Sequence, residues 1–70
     1  MGSFKKEIAE ILGHKFGEAT RKMILDQYSD DNPQELYELA NHMLSAFMGK
    51  KNTDAVLDNL VKKYKVRLKK

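Results

Sequence analysis

The sequence predicts an all-α protein: one compact four-helix domain, orthogonal or bundle-like, with a basic C-terminal end. Three observations carry this. Apolar residues recur at three- and four-residue spacing in four stretches, polar breaks rich in Gly, Asn and Asp separate them, and the only run that alternates like a strand is the short 64–68. The helices are expected near residues 3–12, 15–29, 33–48 and 53–65. Seventy residues make one domain, 1–70. A chain of that size hides only about 60% of the surface it exposes when unfolded, so stability has to come from tight helix packing or from self-association. With no cysteine, neither a disulfide nor a thiolate metal site is available.

The first helix opens at Ser3, a good N-cap, and carries Phe4, Ile8, Ile11 and Leu12 on one side with Lys5, Lys6, Glu7 and Glu10 on the other. Gly13 ends it. A second apolar series, Phe16, Ala19, Met23, Ile24 and Tyr28, supports a helix to about Ser29. One uninterrupted helix is the alternative, at a cost of about 1 kcal/mol for each of Gly13 and Gly17. The same two glycines have the small-xxx-small spacing that also marks a close helix contact.

Ser29 to Pro33 is a polar turn, and Asn32, Pro33 and Glu35 form the start signal of the third helix: cap, first-position proline and capping-box carboxylate. Leu36, Leu39, Ala40, Met43, Leu44 and Phe47 recur at helical spacing, and Tyr37, Ala46 and Met48 widen the stripe. So apolar a helix is expected to be the rod that the other three wrap. Gly49 closes it. Asn52 or Thr53 is the expected cap of a fourth helix with Val56, Leu57, Leu60, Val61 and Tyr64 on its apolar face. Residues 64–68 fit a short strand as well as a helix end. No internal repeat stands out.

Net charge is +3, unevenly placed. Between Met23 and Gly49 there is no Lys or Arg but there are Asp26, Asp30, Asp31, Glu35 and Glu38; from Lys50 onward, Lys and Arg far outnumber Asp54 and Asp58. Such asymmetry points to an anionic partner for the basic end or to pairing between copies. No apolar run approaches a membrane span and no signal-peptide core is present, so a cytoplasmic chain without a membrane partner is expected.

The catalytic inventory is poor: no Ser or Thr has a His and an acid at a recognisable spacing, and His14 and His42 lack a third metal ligand. A non-enzymatic protein with no cofactor, no metal and no small-molecule substrate is expected. Its surplus of adaptable apolar residues, Tyr37, Met43, Phe47, Met48 and Tyr64, suggests a helical patch offered to a protein partner or to a second copy.

Residues 7–24 resemble the helix-turn-helix of bacterial and phage repressors, through Ile8, Ala9, Leu12 and Gly13. The resemblance implies a turn at Gly13 and nucleic-acid contacts from Lys15, Arg21 and Lys22. It is incomplete, with His14 at a position normally apolar and Lys22 at one normally buried. The basic end, Lys62, Lys63, Lys65 and Arg67, followed by Lys69 and Lys70, would hold phosphates without sequence preference. His42 with Leu44 also resembles the phosphoacceptor segment of histidine phosphotransfer domains, but only over those two residues; Ser45 and Ala46 stand where those domains carry Lys-Gly.

Overall fold

Four helices and the tight joints between them make up a computed structural model that describes residues 2–68: α1 (Phe4–Phe16), α2 (Glu18–Gln27), α3 (Pro33–Met48) and α4 (Lys50–Tyr64). The fold is all-α, as expected, and the described residues contain no strand. None of the helices is long and apolar enough to cross a membrane. Lys69 and Lys70 of the basic end lie outside the described residues.

Four expected boundaries move by two residues or more: the end of α1, both ends of α2, which stops at Gln27, and the start of α4. Ser3 Oγ accepts the Lys6 N–H at 3.2 Å, so α1 starts where predicted, but it runs through Gly13 to Phe16. Gly13 serves contact instead of termination: a Cβ there would lie 2.7 Å from Cβ of Arg21, so its bare backbone lets α2 lie close. The break falls at Gly17, whose φ of 109° and ψ of 168° belong to a region only glycine enters readily. Its N–H donates to the Gly13 carbonyl at 2.9 Å, and its carbonyl accepts the Arg21 N–H at 3.3 Å. One residue thus ends α1 and starts α2.

The α3–α4 joint is built alike. Gly49, at φ 87° and ψ 152°, donates to the Ser45 carbonyl at 3.0 Å and accepts the Thr53 N–H at 3.0 Å. Helix α4 therefore begins at Lys50, earlier than expected, and Asn52 and Thr53 lie within it. Both bond backward: Asn52 Nδ2 to the Met48 carbonyl at 3.0 Å, Thr53 Oγ1 to the Gly49 carbonyl at 2.8 Å. With Gly17 and Gly49 in register, Phe4, Ile8 and Leu12 match Leu36, Ala40 and Leu44, and all six are buried. The chain is thus two helical hairpins of one local design, a repetition hidden in the sequence because the matched residues are alike in burial more than in identity.

At the start of α3, Asn32 offers no side-chain cap; its amide instead donates to Glu35 Oε1, so the expected capping box is not formed. At the far end of α4, Lys65 takes the left-handed conformation (φ 53°, ψ 45°), and Val66 N–H donates to the Val61 carbonyl at 3.0 Å, a Schellman-type stop. Residues 66–68 continue as neither helix nor strand.

The core joins Phe4, Ile8, Ala9 and Leu12 of α1 to Ile24 of α2, Leu36, Ala40 and Leu44 of α3, and Leu57 and Leu60 of α4. Helix α1, not α3, is the hub: it alone packs against all three others, while α2 rests on α1 only. The α3 stripe is only partly covered: Tyr37, Leu39, Met43 and Met48 are half-buried and Phe47 is exposed.

A Cβ at Gly17 or Gly49 would meet no atom within 4 Å, so an alanine there strains backbone alone. Gly17→Ala and Gly49→Ala are each expected to lower the unfolding free energy by about 1–3 kcal/mol in urea titrations. Lys65→Gly should act oppositely, raising it by about 0.5–1 kcal/mol through relief of the left-handed cost, net of the entropy gained by the unfolded chain.

Candidate interaction surface

Helices α1 and α3 run side by side in the same sense: their first residues, Phe4 and Pro33, line one groove, and their C-terminal ends, with both glycine joints, share the other end of the molecule. There Phe16 and Phe47 meet edge to face, ring centroids 5.8 Å apart and planes inclined by 61°. Phe16 is 40% exposed and Phe47 59%; among the described residues no other large hydrophobic side chain is so exposed. Lys15 Nζ lies 5.1 Å from the Phe47 centroid, a cation over an aromatic face. Local sequence explains the placement. Phe16 continues the α1 stripe one turn past Leu12, and Phe47 continues the α3 stripe past Leu44, but each helix stops within one residue of its last ring, beyond the packed core.

The other expected contact residues lie elsewhere or are half-buried. Tyr37 stands in the α3–α4 groove with its hydroxyl 3.5 Å from Asp58 Oδ1, near Asn41, whose amide donates to Asp54 Oδ1 at 2.8 Å. Burial pushes the Tyr37 phenol up, and the charges of Asp58 and Asp54 add to it. Tyr64 donates to Glu7 Oε1 at 2.9 Å. Met43 and Met48 are half-buried against the core. Thus the structure brings together Phe47, Lys15 and a residue that sequence reasoning misses as a contact, Phe16. Its exposure depends on its distance from the hub's centre, which periodicity does not report.

No protein-family model, curated protein or solved structure matches the chain.

The cations expected to contact nucleic acid are divided. The repressor-like register needs a turn at Gly13, but α1 carries through it, so Lys15 belongs to the first helix and Arg21 and Lys22 to the second. Arg21 is already bound, Nε to Glu10 at 2.6 Å and Nη1 to Glu18 at 2.9 Å. At the basic end Lys63 pairs with Glu7 Oε1 at 3.0 Å, while Lys62, Lys65 and Arg67 are exposed. His14 and His42 are both exposed, on α1 and α3, and the described residues contain no group of three or more His, Asp or Glu placed to hold a metal ion.

Glu7 joins the start of α1 to the end of α4. Its bonds to the Lys63 ammonium and then to the Tyr64 hydroxyl hold its carboxyl below the ordinary glutamate value, against a smaller opposing effect of burial. A carboxyl depressed on folding contributes stability that is present above its unfolded pKa and lost as pH falls through the folded one. Glu7→Gln is therefore expected to lower the melting temperature modestly at neutral pH and to close the gap to wild type in acid, as read by circular dichroism melts across a pH series.

Proposed function

We propose that this chain is a non-enzymatic protein-interaction module whose contact point is the corner formed by Phe16, Phe47 and Lys15. The supporting observation is the exposed aromatic pair. Fully burying a phenylalanine is worth about 1.5–3 kcal/mol, and here roughly half of each ring is still in water. The corner thus supplies about 1.5–3 kcal/mol, short of the 4 kcal/mol or more that association costs, so the partner has to add contacts beyond the rings and the complex is a modest one. The Lys15 stem offers further apolar area beside the pair. The partner is another protein or a second copy of the chain. Nucleic acid is the weaker reading, since Arg21 and Lys63 are already paired with carboxylates and the remaining cations are divided between the α1–α2 hairpin and the far end of α4.

The test combines sedimentation equilibrium over a wide concentration range with photo-crosslinking in source-cell lysate from a benzophenone amino acid at position 47. A dimer, or a discrete protein adduct formed from position 47 and not from exposed Asn59, is expected, and Phe47→Ser should abolish the dimer. A strict monomer without an adduct overturns the proposal.

A further inference from the structure

Resting on that reading, we infer that the corner docks an acidic protein segment carrying an aromatic or long aliphatic side chain. The charges around the rings carry this. The residues that adjoin the two rings in the chain are His14, Lys15, Gly17 and Glu18 in one hairpin, and Met48, Gly49, Lys50 and Lys51 in the other. Its carboxylate, Glu18, is taken by Arg21 at 2.9 Å. The next one along α4, Asp54, is taken by the Asn41 amide at 2.8 Å and by Lys50 at 3.4 Å. Lys15 and Lys51 remain, and no described carboxylate lies within ion-pair distance of either. Lys15, its ammonium 5.1 Å from the Phe47 ring, therefore sets an unmatched positive charge beside the aromatic pair, and Lys51 adds a second in the first turn of α4 just past the Gly49 joint. Electrostatic complementarity then selects an acidic partner, and the rings select one apolar anchor.

Two other occupants fit less well. A second copy docked corner to corner by a two-fold axis would face one lysine-bearing surface with another, a like-charge juxtaposition. An anionic membrane asks for a cluster of about four to eight cations, more than this corner leaves unpaired.

The chain contains no tryptophan, so a tryptophan-bearing probe reports its own burial. The probes are a short synthetic peptide of Glu, Leu and one Trp, its Lys-for-Glu counterpart, and its Ser-for-Trp counterpart carrying a terminal dye. With the acidic peptide, saturable binding and a blue shift of the tryptophan emission are expected, weakening with added salt. Phe47→Ala and the pair Lys15→Glu with Lys51→Glu should each weaken binding about tenfold, the change that 1.4 kcal/mol produces. Lys62→Glu should leave it unchanged, and circular dichroism should show every variant folded. Equal affinity for the Lys peptide, equal affinity for the Ser peptide, or preferential uptake by phosphatidylserine vesicles overturns the inference. So does absence of binding by the acidic peptide: if position 47 still crosslinks to a protein, only the acidic assignment falls, and if it does not, the interaction reading falls with it.

Discussion

The buried face of α1 is the constraint on which the rest of the molecule depends. Phe4, Ile8, Ala9 and Leu12 form a narrow wall, on the one helix that α2, α3 and α4 all meet. A domain this small builds one core, and every element has to reach it to be held. Because the wall lies at the N-terminal end of the chain, the late elements return to it. Glu7 holding Lys63 and Tyr64 is the polar counterpart of that return.

The glycine joints set the remaining geometry. Each turns the chain with a single non-helical residue, which leaves no loop to fold over the ends of α1 and α3. The helices consequently stop in the open, with their last aromatic residues uncovered. The apolar exposure at this end results from the shortness of the joints; a longer connection would have supplied side chains to shield Phe16 and Phe47.

Much of this architecture is legible in the sequence, because helical periodicity and the start signals at Ser3 and Pro33 are local. The end of α3 at Gly49 is legible for the same reason. The position of the first break is not, since Gly13 and Gly17 are equally poor in a helix and only the approach of Arg21 to Gly13 distinguishes them. Nor is the start of α4: Asn52 and Thr53 have the chemistry of caps, yet their side chains serve carbonyls behind them. Apolar content points to α3 as the hub because it measures how much a helix can bury, whereas centrality, which belongs to α1, depends on how many neighbours reach it. Part of the candidate surface is readable: Phe47 belongs to the expected patch and Lys15 stands out for its charge, but their meeting with Phe16 is purely tertiary.

Helix α2 carries the effect of having a single neighbour. It buries one side chain completely, Ile24, and its closing carbonyls, those of Leu25 and Tyr28, are held by Lys5 Nζ at 3.2 Å each. The ammonium replaces a basic residue that its last turn lacks. Everything that holds this segment passes through that one neighbour: Ile24 against the core, Arg21 on Glu10, and the Lys5 ammonium on its closing carbonyls. The first hairpin therefore stands or falls as one unit, since whatever loosens α1 releases α2 with it.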